Sequence, residues 1–129
     1  MDVQTVLEEL ESLGSERTKK DYMQQGAREP LFGVATGAMK PIVRKIKINQ
    51  AFAEKLYATG NYDAMYLVGM IADPIAMTET DFDRWMESAY FYMISDYIVA
   101  VTLSETDIAQ VVSDRWIASG KELYGSFPL

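Results

Sequence analysis

The chain has 129 residues, 49% of them hydrophobic, and a formal net charge of −7, which predicts a single globular domain with a substantial core. It contains no cysteine and no histidine, which excludes disulfides, thiol nucleophiles, Ser-His-Asp triads and the common zinc sites. No apolar run reaches the ~18 residues of a spanning helix, and the N-terminus, MDVQTVLEELE, is acidic and lacks the basic region of a secretory signal, so we predict a cytoplasmic protein without a membrane segment.

Two helices are predicted at the start of the chain. The first covers residues 3–13, begins after Asp2 as N-cap and ends at Gly14. Its apolar face consists of Val3, Val6, Leu7 and Leu10. Ser15 caps a second, polar helix that ends near Gly26.

A glycine-rich loop, GAREPLFGVATG, follows at residues 26–37. The overlapping stretch GVATGAMK (33–40) resembles a phosphate-binding loop, but its glycines are too close together for GxxxxGK[ST] and Lys40 is displaced. We interpret it as a turn before a helix, with N–H groups available to a DNA phosphate.

Positive charge is concentrated in the segment 17–47. This segment has eight basic and two acidic residues, a net charge of +6, although the whole chain is acidic. A helix that starts near Met39 would place Lys40, Arg44 and Lys47 at i, i+4 and i+7 on one outward face. We predict that these three residues bind DNA phosphates, with an ordinary solvated helix face as the alternative.

Caps mark the later helices as well. Helices are predicted after Asn49, Asn61, Thr78 and Ser104. Thr78 with Asp81 resembles a capping box, and residues 90–102 form an apolar helix that contains Asp96. The acids at 79, 81, 83 and 87 lack the glycine and terminal glutamate of an EF-hand loop, so we predict no metal site.

The last predicted helix runs from Ser104 to about Gly120. Its apolar face consists of Ile108, Val111, Val112 and Trp116. No further helix follows that would cover this face, so we expect either a truncated chain or a homo-oligomer formed through the C-terminal helix.

Short helices joined by short loops predict an all-α fold of about 7–8 helices, stacked as antiparallel pairs in one domain over residues 1–129. The order of features resembles the DNA alkylation repair family, which is built from HEAT-like helical repeats. The matching segments are PLFGVATGAMKPIVRKIK (30–47), AEKLYATGNYDAMYLVGMIAD (53–73), MTETDFDRWMESAYFYMISDYIV (77–99) and SDRWIASG (113–120). They cover about the N-terminal half of a typical member.

This resemblance implies an α-α superhelix that binds duplex DNA on a concave basic surface. Some members hydrolyse the N-glycosidic bond of cationic purines such as 3-methyladenine and 7-methylguanine, without an organic cofactor. The family has a Trp and an Asp four residues apart in its active region, and the matching positions here are Tyr92 and Asp96. The family's later helices, which supply a further Trp and an Arg, lie beyond the end of this chain.

The chemistry assigned to these two positions has a physical reason. A carboxylate such as Asp96 stabilises the oxocarbenium character that develops on the sugar, and an aromatic ring such as Tyr92 attracts a cationic base. The alternative is that Asp96 is a satisfied helix acid and Tyr92 a core residue. For the protein as a whole, the alternatives are a non-catalytic helical-repeat module that binds protein partners and a folding fragment without its own function.

Overall fold

The structure is a computed structural model that describes residues 2–89, 99 and 101–118. Within these ranges all regular structure is helical, with eight α-helices and two short 3-10 helices. The chain divides into two compact units, Met1–Ala72 and Asp73–Leu129. The all-α prediction is therefore confirmed for the described residues, whereas a single domain over residues 1–129 stays a prediction.

The first unit begins with two capped helices, α1 (Val3–Leu13) and α2 (Glu16–Gln24). As predicted, the Asp2 carboxylate accepts the Thr5 N–H at 2.8 Å and the Ser15 hydroxyl accepts the Thr18 N–H at 3.1 Å. These bonds satisfy N–H groups that have no partner inside the helix. The helices differ in burial, because α1 buries Val6 and Leu10 whereas α2 buries no residue.

The glycine-rich loop is fastened to α2 by hydrogen bonds. Ser15 N–H donates to the Gly33 carbonyl at 3.0 Å, and the Tyr22 hydroxyl donates to the Val34 carbonyl at 2.9 Å. Gly33 has φ +78, and a Cβ atom there would lie 2.3 Å from the Lys19 backbone nitrogen. Glycine is needed at this position for both its conformation and the close approach of α2.

The 3-10 helix Thr36–Met39 leads into α3 (Lys40–Ile46), with Pro41 in the first turn as predicted. Asn49 then caps α4 (Gln50–Tyr57), and Asn61 caps α5 (Tyr62–Ile71). The most buried of these helices is α5, which packs against α1, α3 and α4. Its buried residues are Tyr62, Asp63, Ala64, Met65, Leu67, Val68 and Ile71.

The second unit contains the 3-10 helix Pro74–Ala76, α6 (Glu79–Ser88), α7 (Val101–Ser104) and α8 (Ala109–Ala118). The predicted capping box is present at the start of α6. The Thr78 hydroxyl accepts the Asp81 N–H at 3.2 Å, and the Asp81 carboxylate accepts the Thr78 N–H at 2.9 Å. The predicted helix over residues 90–102 lies mostly outside the described residues.

The predicted N-cap at Ser104 is wrong. Ser104 is the last residue of α7, and the next helix begins only at Ala109. The turn between them contains hydrogen bonds from Glu105 N–H to the Thr102 carbonyl and from Thr106 N–H to the Leu103 carbonyl. Leu103 is buried in α7, and the polar residue that follows it ends this helix instead of starting a new one.

The apolar face predicted for the last helix, which includes Ile108 just before α8, is less exposed than its sequence suggests. Val112 and Trp116 are buried and Ile108 is half-buried, whereas Val111 is 59% exposed. A homo-oligomer through this helix stays a prediction, and its support among these four residues is reduced to Val111 and the exposed part of Ile108.

Candidate nucleic-acid interface

The predicted DNA-binding residues Lys40, Arg44 and Lys47 are all exposed, and we call them the basic surface. The helix that carries two of them is attached to the core by its other side. Ile42 is buried there, and Val43 and Ile46 are half-buried. The segment is thus amphipathic, with the apolar side toward α5 and cationic side chains in water.

The basic surface is not neutralised within the described part of the chain. Over residues 2–89, 99 and 101–118, none of its three members forms an ion pair. The adjacent Lys45, in contrast, contacts Glu9 with an N–O distance of 3.2 Å. Exposed cations without an ion-pair partner are available to an anionic ligand, and guanidinium and ammonium groups both suit phosphate.

Lys19, a further lysine of the first unit, is already engaged in an ion pair. Lys19 contacts Glu29 with an N–O distance of 2.7 Å. The hydrogen bond between them raises the pKa of Lys19 and lowers the pKa of Glu29. The count of basic residues in the segment 17–47 therefore overstates the charge that this segment offers to a ligand.

Lys47 departs from the predicted helical register. The helix ends at Ile46, and Lys47 is its C-cap with φ 63 and ψ −165. An i, i+4, i+7 stripe requires helical geometry throughout, so the helical spacing relates Lys40 to Arg44 and does not extend to Lys47.

The loop at residues 33–40, which resembles a phosphate-binding loop in sequence, binds a carboxylate of the protein itself. The Asp63 carboxylate accepts the N–H groups of Phe32, Gly33 and Val34, the last two at 3.2 and 2.9 Å. Asp63 itself is 0% exposed. Two N–H groups that looked available for a phosphate are therefore occupied by a carboxylate of the same chain.

Sequence reasoning missed Asp63, although a signal existed. It lies in the first turn of a nearly continuous apolar helix, YDAMYLVGMI, where a carboxylate requires partners. The same reasoning drew attention to Asp96. The partners of Asp63 are about thirty residues away in the chain, and no local pattern connects them.

The second unit contains a different charged cluster, formed by Asp83, Arg115 and Trp116. Arg115 Nη1 lies 2.9 Å from both oxygens of Asp83, and the buried Trp116 indole N–H donates to Asp83 Oδ1 at 2.8 Å. The hydrogen bond to Asp83 is the main cause that raises the pKa of Arg115. This cluster connects α6 to α8 through Arg115 and Trp116.

Tyr92 and Asp96 lie outside the described residues. Among the residues that the structure does describe, there is no group of three or more carboxylates placed to hold a metal ion. No described helix combines the length and the apolar character needed to cross a membrane.

Comparison with known proteins identifies the family. Residues 3–125 match the family model described as DNA alkylation repair enzyme. Uncharacterized proteins of Listeria monocytogenes and Listeria innocua are 27% and 26% identical to this chain over 120 residues. These matches cover 89% of this chain and 54% of each relative, so the chain spans about half the length of the curated relatives it matches.

A solved structure is closer in sequence, with 71% identity and a TM-score of 0.94 over 98% of this chain and 54% of that chain. It is described as "A new family of proteins related to the HEAT-like repeat DNA glycosylases with affinity for branched DNA structures". This similarity confirms the predicted HEAT-like fold. Because the family model spans almost all of its sequence, the chain belongs to the DNA alkylation repair enzyme family.

Proposed function

We propose that this protein binds DNA through the basic surface and prefers branched DNA to continuous duplex. The observation that carries the proposal is the exposure of Lys40, Arg44 and Lys47 without an ion-pair partner among the described residues. Family membership supports DNA as the ligand, and the affinity reported for the 71% identical relative supports the branched form.

The net charge of the whole chain limits which part of it can attract DNA. With a net charge of −7, most of the molecule repels a polyanion, and attraction is confined to the few uncompensated cations. Each phosphate contact releases condensed counterions, so the affinity falls as salt rises. A localised contact of this kind predicts modest affinity, a small footprint and a log–log salt slope of only about −3 for three phosphate contacts.

The test compares a labelled four-way junction with a duplex of the same arm sequence by fluorescence anisotropy from 50 to 200 mM salt. In the triple variant Lys40→Gln, Arg44→Gln, Lys47→Gln, we expect weaker binding and a log–log salt slope that is shallower by about 2–3, as expected for three lost phosphate contacts. All three side chains are exposed, so folding should be preserved.

The matched control is Lys45→Gln, which removes a positive charge from the same helix. The Lys45 ammonium is already paired with Glu9. Lys45→Gln should therefore change the salt slope by much less than one third of the change seen in the triple variant. Absence of junction binding at 50 mM salt, or an unchanged salt slope in the triple variant, would contradict the proposed function.

A second candidate is hydrolysis of the N-glycosidic bond of an alkylated purine, favoured by the family match and by the spacing of Tyr92 and Asp96. Water would attack the anomeric carbon as the cationic base leaves with the bonding electrons, and Asp96 would stabilise the positive charge on the sugar. Release of methylated purine from alkylated DNA tests this activity. Loss of release in Asp96→Asn supports the role, and equal release by both proteins contradicts it.

A further inference from the structure

The turn between α3 and α4 has two locally unfavourable features in adjacent residues. Lys47 has φ 63 and ψ −165, a backbone conformation that is strained for any residue except glycine. Ile48 follows it and is 64% exposed, although a branched aliphatic side chain normally gains from burial. Violations of local preferences are expected where a protein contacts its ligand.

This turn is held in position at both ends. The Lys47 N–H donates to the Val43 carbonyl at 2.7 Å, and the Asn49 N–H donates to the Ile71 carbonyl at 2.8 Å. The Asn49 side chain also accepts the Phe52 N–H at 3.1 Å as the cap of α4. The exposure of Ile48 is therefore set by a fixed backbone between two anchored residues.

The chemistry of the turn combines charge with an apolar surface. Lys47 precedes Ile48 directly, and Arg44 lies three residues before Lys47 in the chain. Phosphate groups suit the two cations, whereas the aliphatic side chain suits the face of a base. In continuous duplex DNA the base faces are stacked on each other and hidden. At a branch point the stack is interrupted and such a face can be open, next to the same phosphates.

We infer that Ile48 is a specificity-determining residue that packs against an open base-pair face at a DNA branch point, while Arg44 and Lys47 bind the phosphates beside it. This inference rests on the proposed function, since it assigns the preference for branched DNA to one side chain of the DNA-binding surface. The cations supply affinity for any DNA, and Ile48 supplies the difference between branched and continuous DNA.

The chain offers a matched comparison in Ile75, which is 90% exposed in the 3-10 helix of the second unit. Residues 71–80 contain no lysine or arginine, and they contain Asp73 and Glu79. An exposed isoleucine without adjacent cations has no means of approaching a phosphate backbone. Ile75→Ser therefore controls for the general effect of removing an exposed isoleucine.

The experiment measures the affinities of Ile48→Ser and Ile75→Ser for a four-way junction and for the matching duplex at one salt concentration. For Ile48→Ser we expect a junction-to-duplex affinity ratio about tenfold lower, the order of magnitude for burying one aliphatic side chain. Duplex affinity and the salt slope should stay unchanged, because no charge is removed. Ile48→Leu should retain the ratio, and Ile75→Ser should leave it unaffected.

Three results would overturn the inference. An unchanged ratio in Ile48→Ser, while the triple variant of the basic surface loses binding, refutes the role of Ile48 and leaves the proposed function intact. An equal fall in Ile75→Ser refutes the local role. Concentration-dependent assembly of the free protein that is lost in Ile48→Ser, by analytical ultracentrifugation, assigns Ile48 to a protein contact instead. If the triple variant binds like wild type, the proposed function itself fails.

Discussion

The basic surface of the first unit and the Asp83 cluster of the second unit use similar side chains in opposite ways. Arg115 places its guanidinium on Asp83 and Glu79, at 2.9 and 3.2 Å. Arg44 is exposed and forms no ion pair within residues 2–89, 99 and 101–118. A neutralised cation connects helices, whereas a cation without a partner adds little to stability and is free to bind a ligand.

This contrast also explains why net charge alone is a poor guide to function here. An acidic chain with a charge of −7 would not be expected to bind DNA. What matters is where the cations remain uncompensated. The comparison predicts that substitutions at paired charges mainly change stability, and that substitutions at the basic surface mainly change binding.

The largest effect on stability is expected at Asp63. Asp63→Asn replaces one acceptor oxygen by an NH₂ group that cannot accept, so at least one buried N–H of Phe32, Gly33 or Val34 loses its partner. We expect the free energy of unfolding to fall by about 2–4 kcal/mol. Urea denaturation followed by circular dichroism measures this loss.

The control for Asp63 is Asp21→Asn, which makes the same chemical change at an exposed position of α2. It should change the free energy of unfolding by less than about 0.5 kcal/mol. An equally small change in the free energy of unfolding for Asp63→Asn would mean that the N–H groups of the loop find other acceptors. Asp63 would then not be the anchor of the loop.

A smaller loss is expected for Asp83→Ala. The carboxylate holds Arg115 and the indole N–H of Trp116, but its own side chain is 38% exposed, and water screens the ion pair. We expect the free energy of unfolding to fall by about 1–2 kcal/mol. A double-mutant cycle with Arg115→Ala should give a coupling energy of about 0.5–1 kcal/mol, and a coupling of zero would mean that the pair does not connect the helices.

The smallest expected effect has the opposite sign. Lys47→Gly removes a backbone strain of about 1–3 kcal/mol at φ 63. Glycine also increases the conformational entropy of the unfolded chain, which offsets about 1 kcal/mol of this gain. We expect a gain in stability of about 1 kcal/mol together with weaker DNA binding. Thermal melting and the anisotropy assay measure the two quantities, and a loss of stability would show that the Lys47 backbone is not strained.

Features that depend on neighbouring residues were predictable from the sequence. The caps at Asp2, Ser15, Asn49, Asn61 and Thr78 are each confirmed, because the bond joins residues three positions apart. Ser104 shows the limit of this reasoning, since a polar residue after an apolar run ends α7 rather than starting the next helix.

Features that depend on the tertiary structure were not predictable in the same way. Asp63 finds its partners about thirty residues earlier in the chain, and Arg115 contacts Asp83 across 32 positions. The positive φ of Lys47 could not be predicted either, because the sequence around it indicates a continuous helix. The candidate binding residues could be named from their charge, but the sequence alone could not distinguish paired from unpaired cations.

The attachment of α2 determines where the sequence of this region can vary. Because no residue of α2 is fully buried, substitutions at its exposed positions should be tolerated. The constraint lies instead on Gly33 in the facing loop, where a single added methyl group would meet the backbone of Lys19. In a library of variants, the docking of α2 should therefore depend on Gly33 in a different segment and on Tyr22 within α2, whereas the exposed positions of α2 should accept many residues.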